Sequence, residues 1–133
     1  MKLLLDEPGR QAVLDAIEDV GAWATSRLSY VECGAAIGRA HREGRVASRR
    51  WAEMLAELDE TWQGVTVVEL DERITQAAVR IARDQPVRAS DAIHLASALA
   101  IVPSGGGVTF VCYDRRLWET AGAIGMGRSP GDF

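Results

Sequence analysis

Apolar residues recur at helical spacing in six stretches of the chain. The first stretch places Val13, Ile17 and Val20 on one face of a helix. This helix is predicted to end at Gly21, since glycine commonly follows the last turn of a helix. The six stretches predict helices over residues 10–20, 28–43, 48–63, 71–84, 90–101 and 115–121.

Short runs rich in β-branched residues lie between these predicted helices. The clearest run covers residues 65–70; shorter ones cover residues 23–26 and 108–112, and the last is predicted to be buried. Strands that alternate with helices indicate an α/β fold with a mainly parallel sheet, here a single domain over residues 1–133. In such sheets, ligands bind beyond the carboxyl ends of the strands. The glycine-rich tail after residue 121 is poorly specified by its pattern.

The composition is that of an ordinary soluble globular protein, with 47% apolar and 26% charged residues. The net charge of −4 gives no general attraction to nucleic acid or membrane, so binding nucleic acid would need a local basic face or a bound cation. No apolar run reaches the roughly 18 residues of a membrane span. The run at residues 3–5 meets Asp6 and Glu7 too early for a signal peptide. A reducing, cytoplasmic setting is therefore expected, with Cys33 and Cys112 as reduced core thiols.

Three carboxylates stand where a functional site could form. Asp91 opens a predicted helix behind Ser90, an expected N-cap, and Asp114 directly follows a predicted strand. Glu32 lies inside a predicted helix among apolar neighbours, where an unpaired charge is costly to bury. Each acid also has an ordinary structural explanation, namely a helix cap for Asp91, a turn for Asp114 and a salt bridge to an arginine for Glu32.

Together, the three acids could converge at the rim of the sheet. Clustered carboxylates repel one another, and a divalent cation relieves that repulsion. Oxygen ligands suit Mg²⁺ or Mn²⁺ better than zinc. Such a centre can activate water and neutralise charge during phosphodiester hydrolysis. His94, three residues after Asp91, is either a further base or ligand or a packed histidine.

Arginines concentrate around the turn between the second and third predicted helices. This arginine cluster consists of Arg39, Arg42, Arg45, Arg49 and Arg50. The cluster can be a solvated face of the protein or a surface that binds phosphate groups. The pattern leaves both interpretations open.

Three segments resemble the motifs of PIN-domain proteins, and among these most closely the VapC-type toxins of bacterial toxin–antitoxin pairs. The segments read SRLSYVE at residues 26–32, RASDAIHLA at 88–96 and FVCYDRRL at 110–117. Each segment alone is a weak signal, but the three occur in order and at fitting spacing across nearly the whole chain. The resemblance implies a three-layer α/β/α fold with a mainly parallel central sheet.

The same resemblance implies a function and its partners. It implies an endoribonuclease that cuts RNA with water activated by Mg²⁺ or Mn²⁺, with Glu32, Asp91 and Asp114 as catalytic and metal-binding acids. It also implies a cognate VapB-type antitoxin that covers the acidic pocket, and a tendency to form homodimers. The competing interpretation is a catalytically impaired PIN-like module that binds antitoxin or RNA without cleaving.

The beginning of the chain departs from the family pattern. Family members begin with a strand that ends in an aspartate, and residues 1–9 here resemble the segment after that aspartate. On this alignment the first strand and the first acid are missing, and the native start is expected upstream. The rival alignment takes residues 3–5 as the first strand and Asp6 as its acid, but it places Pro8 and Gly9 where a helix should begin.

Overall fold

The computed structural model describes residues 11, 13–15, 22–102 and 107–131. Their longer helices are α1 (Arg27–Arg42), α2 (Ser48–Gln63), α3 (Glu72–Asp84), α4 (Ala89–Ala100) and α5 (Arg115–Ala123). Their strands are β1 (Ala24–Ser26), β2 (Thr66–Val68), β3 (Thr109–Val111) and β4 (Gly127–Ser129). Gln11 and residues 13–15 are helical, in agreement with the first predicted helix. The rest of that helix, the run at residues 3–5 and Asp6 lie outside the described residues.

The chain divides into two compact units, Met1–Val67 and Val68–Phe133. The first unit is built on the packing of α1 against α2. Ile37, Met54 and Leu58 form its buried cluster. Met54 and Leu58 lie four residues apart on α2, so they share the helix face that the apolar spacing predicted. The description of the chain as a single domain stays a prediction.

The second unit holds the helices that carry two of the predicted site acids. α3 packs against α4 through a cluster of mostly small side chains, namely Ile74, Ala78, Ala92 and Ala96. A second buried cluster includes residues of α4 and α5 and consists of Leu95, Cys112, Leu117, Ala121 and Met126. α4 therefore contributes to both clusters, and its position is fixed by packing on more than one side.

The strands of the described residues form two two-stranded sheets, β1–β2 and β3–β4. β3 and β4 run parallel, with Thr109 opposite Gly127 and Val111 opposite Ser129. This pairing agrees with the predicted parallel α/β class. The prediction of a buried strand over residues 108–112 is wrong in extent and burial, since β3 has three residues and Val111 is 41% exposed. The strand has one partner strand in its sheet, so the pairing leaves much of β3 accessible.

The described helices begin close to their predicted positions, with one corrected cap. At α3, the side chain of Asp71 accepts a hydrogen bond of 2.8 Å from the amide of Ile74, as a helix cap does. At α4, the prediction of Ser90 as the N-cap is wrong, because the N-cap is Arg88. The carboxylate of Asp91 accepts from the amide of Arg88, and the helix begins at Ala89, one residue before Ser90. Among the described helices, none is both long and apolar enough to span a membrane.

Candidate metal centre

Asp91 lies in the first turn of α4, where the positive end of the helix dipole favours a carboxylate. The helix behind it is fixed by buried side chains, since Ala92 is 1% and Leu95 0% exposed. Oδ2 of Asp91 accepts a hydrogen bond of 3.4 Å from the amide of Arg88. Backbone amides usually donate over about 2.7–3.2 Å, so this contact engages the carboxylate weakly. The packing of α4 therefore holds Asp91 in place, while its carboxylate is only weakly bonded at a partly exposed position.

Asp114 is the N-cap of α5 and comes shortly after the end of β3. Its Oδ1 accepts a hydrogen bond of 3.0 Å from the amide of Leu117. Leu117 is buried in the core cluster, so the first turn of the helix is anchored. Asp114 itself is exposed. The helix cap therefore uses one carboxylate oxygen of Asp114, and the side chain stays accessible to solvent.

The thiol of Cys112 lies beside the backbone of Asp114 and is affected by the charges of both acids. Cys112 is 8% exposed and belongs to the same core cluster as Leu95 of α4 and Leu117 of α5. The pKa of this thiol is raised, first by burial and further by the charges of Asp114 and Asp91, while a hydrogen bond with the Asp114 backbone acts in the opposite direction. The negative charges of Asp114 and Asp91 therefore both act on one buried thiol. Sequence reasoning treated Cys112 only as a core residue and missed this position.

Neither carboxylate is neutralised within the part of the chain that the structure describes. No salt bridge reaches Asp91 or Asp114 there, and the guanidinium of Arg115 lies 3.4 Å from a carboxylate oxygen of Glu119. The two acids thus supply hard oxygen donors and uncompensated negative charge in one region of the second unit. This donor set fits Mg²⁺ or Mn²⁺, which prefer carboxylate oxygens.

Glu32 lies on α1 in the first unit, and one reason for singling it out is wrong. The prediction placed its charge among buried apolar neighbours, where it would need a partner. In the structure Glu32 is exposed and Val31 is 61% exposed, because α1 buries a different face through Ile37 and Ala40. Burial therefore places no demand on the charge of Glu32. Its role as a site acid stays a prediction that rests on the family motif.

The described residues assemble part of the predicted site. Asp91 and Asp114 share the second unit, whereas Glu32 belongs to the first. Within each unit, the described residues contain no group of three or more histidine, cysteine, aspartate or glutamate side chains that could hold a metal ion. His94 lies half-buried on α4, and its role stays a prediction. The candidate centre is therefore the pair Asp91 and Asp114, with Glu32 as a predicted third ligand.

Carboxylates engage most of the arginine cluster. Arg45, Arg49 and Arg50 each form a salt bridge with a nearby glutamate. Arg39 and Arg42 form no salt bridge with another described residue, and both lie exposed near the end of α1. The solvated-face interpretation therefore suits the three paired arginines. Arg39 and Arg42 remain the members of the cluster with uncompensated charge for a phosphate.

Comparisons with known proteins match nearly the whole chain. A family model described as PIN domain matches residues 1–124. The chain is 33% identical over 130 residues to Ribonuclease VapC45 of Mycobacterium tuberculosis strain CDC 1551 / Oshkosh, and equally to Ribonuclease VapC49 of strain ATCC 25618 / H37Rv. Each alignment covers 98% of this chain and 89% of the relative. These matches confirm the resemblance carried by the three motif segments and the predicted α/β class.

Proposed function

Since this chain belongs to the PIN-domain family, we propose that it is a metal-dependent endoribonuclease that hydrolyses RNA phosphodiester bonds. We further propose that it acts as the toxin of a type II toxin–antitoxin pair, in line with its likeness to VapC ribonucleases. The observation that carries the proposal is the pair Asp91 and Asp114. Both carboxylates lie in the second unit without a salt bridge to another described residue, and the charges of both act on the buried thiol of Cys112.

Asp91 and Asp114, together with Glu32, would hold Mg²⁺ or Mn²⁺ through their carboxylate oxygens. The bound cation would activate water and neutralise charge on the phosphate. The chain itself fixes the acids, because buried side chains anchor α4 behind Asp91 and the cap bond to Leu117 orients Asp114. Ligands oriented before binding lose less conformational freedom when the ion binds, which favours affinity.

The metal site can be tested with Asp91→Asn. Glu72→Gln is the matched control, because Glu72 is also an acid in the first turn of a helix. We expect Mn²⁺ binding, measured by calorimetry, and Mg²⁺-dependent cleavage of single-stranded RNA to be lost in Asp91→Asn and kept in Glu72→Gln. Cleavage that persists in excess chelator, or that Asp91→Asn leaves unchanged, would contradict the proposal.

A VapB-type antitoxin and a homodimer form part of the same proposal. Val31 of α1 is 61% exposed, and a partner that covers this face of the helix would bury its apolar side chain. We expect Val31→Asp to weaken copurification with the protein encoded by the neighbouring gene. Val79→Asp on α3 should not, although Val79 is 63% exposed. Light scattering of the free chain measures whether it forms a dimer.

A second candidate function is a PIN-like module that binds antitoxin or RNA without cleaving. It is favoured by the finding that neither unit, within its described residues, contains three potential ligands placed for one metal ion. A chain that binds RNA but neither binds Mn²⁺ nor cleaves would support this function. Mn²⁺ binding together with cleavage that depends on Asp91 would support the nuclease instead.

A further inference from the structure

Cys112 is a buried residue of the second unit to which the proposed function gives no role. It directly follows β3 and is 8% exposed. Its backbone amide donates a hydrogen bond of 3.0 Å to the carbonyl of Ser129 in β4. The backbone of Cys112 is therefore fixed to the neighbouring strand at the point where the chain leaves β3 towards Asp114.

The thiol of Cys112 engages both backbone polar groups of Asp114. The amide of Asp114 donates to Sγ over 3.3 Å, and the thiol donates to the carbonyl oxygen of Asp114 over 3.4 Å. A thiol can fill both roles, although each bond is weak. The two contacts span Tyr113 and restrain the backbone of Asp114 just before α5 begins. They therefore help to set the direction in which the Asp114 side chain leaves the chain.

Packing connects Cys112 to the other candidate ligand as well. Its side chain belongs to the core cluster that contains Leu95 of α4 and Leu117 of α5. α4 carries Asp91 in its first turn, and Asp114 caps α5. One buried side chain is thus shared by the two helices that present the candidate ligands. Loss of this side chain should alter the geometry of the ligands as well as the packing of the core.

We propose that Cys112 is a positioning residue, which orients Asp114 for metal binding through the hydrogen bonds between its thiol and the Asp114 backbone. This inference rests on the proposed function, because it needs Asp114 to be a metal ligand. Groups that orient a metal ligand typically change metal affinity by about 10–100-fold when they are removed. The weakness of thiol hydrogen bonds points to the lower end of this range.

The test compares Cys112→Ser, Cys112→Ala and Cys112→Val in the full chain, with Cys33→Ser as the control thiol in the first unit. Serine can donate and accept, whereas valine fills space without doing either. We expect Mn²⁺ affinity to fall about tenfold in the alanine and valine variants and to recover with serine. In the metal-free protein, hydrogen exchange of the Asp114 amide should accelerate in the alanine and valine variants and slow again with serine.

Each outcome decides between the two proposals. If the unaltered chain neither binds Mn²⁺ nor cleaves RNA, both the proposed function and the positioning role are wrong. If the unaltered chain binds Mn²⁺ and Cys112→Val binds it equally well, only the positioning role falls. Equal losses in the serine and valine variants, accompanied by a lower melting temperature, would show a general packing defect and also overturn the role. Recovery by serine at unchanged melting temperature supports it.

Discussion

Oδ1 of Asp114 accepts a hydrogen bond of 3.0 Å from the amide of Leu117, so one carboxylate both caps α5 and belongs to the candidate metal centre. Leu117 is buried in the cluster that also contains Cys112. Formation of the helix therefore orients the acid, and the acid stabilises the helix. The two roles can be separated by substitution, because a cap needs an acceptor oxygen whereas a metal ligand here needs negative charge.

Asp114→Asn keeps an acceptor oxygen at the N-cap and removes the charge. We expect Mn²⁺ affinity to fall sharply while the free energy of unfolding changes by less than about 0.5 kcal/mol, because asparagine and aspartate cap comparably well. Asp114→Ala removes both roles and should also cost about 1 kcal/mol of stability. Calorimetric titration with Mn²⁺ and thermal unfolding followed by circular dichroism measure the two effects.

Asp71 provides the control for this separation, because it caps α3 through the amide of Ile74 at 2.8 Å. Asp71→Ala should lose a similar amount of stability and keep its Mn²⁺ affinity. If Asp71→Ala weakened Mn²⁺ binding as much as Asp114→Ala, the loss would reflect destabilisation of the unit rather than removal of a ligand.

Substitution of two exposed arginines of the arginine cluster, Arg42 and Arg49, should affect RNA binding differently. Arg42 has no salt bridge with another described residue, whereas Arg49 pairs with Glu53 at 3.0 Å. We expect Arg42→Gln to reduce the salt dependence of single-stranded RNA binding by roughly 0.7 in logarithmic slope, the value for one phosphate contact. Arg49→Gln should change the slope little. Fluorescence anisotropy in chelator, where cleavage is suppressed, measures both slopes, and equal slopes would argue against a phosphate contact at Arg42.

The helices could be predicted from the sequence because their signals are local. The ends of α1, α2, α3 and α4 lie within one or two residues of the stretches marked by apolar spacing and by stop residues such as Gly64 and Pro86. β4 could not be predicted, since Gly127, Arg128 and Ser129 carry no β-branched pattern. The strand forms because β3 lies beside it, and this pairing is not encoded in the local pattern.

Only the part of the candidate site that lies at the ends of helices and strands could be predicted from the sequence. Asp91 and Asp114 stand at the starts of helices, where sequence signals are strongest, and the charges of both act on the thiol of Cys112. The exposure of Glu32 depends on which face of α1 packs against α2. The apolar residues next to Glu32 in the sequence suggest burial and do not indicate which face packs. The contacts of Cys112 with the Asp114 backbone depend on the turn geometry after β3, for which the sequence carries no distinct signal.

The ion pair between Arg50 and Glu57 on the surface of α2 should make the stability of the protein depend on pH. The hydrogen bonds from Arg50, aided by its charge, hold the pKa of Glu57 below its ordinary value of 4.5. The contribution of this pair to stability is therefore present above pH 4.5 and lost as the pH falls through the lowered pKa of Glu57. In Arg50→Gln, the Glu57 pKa should rise towards 4.5 in a carboxyl ¹³C titration.

Asp84 is the internal control in the same titration, because the pKa of Asp84 is lowered by Arg83 rather than Arg50. Its titration should be unchanged in Arg50→Gln. An unchanged Glu57 pKa in that variant would show that Arg50 does not hold the glutamate in solution.

Gly122 lies within α5 beneath a stacked arginine. The guanidinium of Arg128 lies 3.4 Å from the centroid of the Trp118 ring and donates from Nη1 to the Trp118 carbonyl over 3.1 Å. A Cβ atom at position 122 would overlap this guanidinium. Two effects of opposite sign therefore meet at Gly122, since alanine favours a helix over glycine by about 0.5–1 kcal/mol but would displace Arg128 from the ring.

Gly122→Ala should lower the free energy of unfolding by about 1 kcal/mol, because the lost cation–π contact and hydrogen bond together outweigh the gain in helix propensity. In an Arg128→Ala background the same substitution should become stabilising, since the overlap is gone. Gly34→Ala in α1, where an added Cβ meets no atom within 4 Å, should stabilise in either background. Urea unfolding of the four combinations at positions 122 and 128 measures the coupling. If the effects of the two substitutions were additive, the guanidinium of Arg128 would not be stacked on the Trp118 ring in solution.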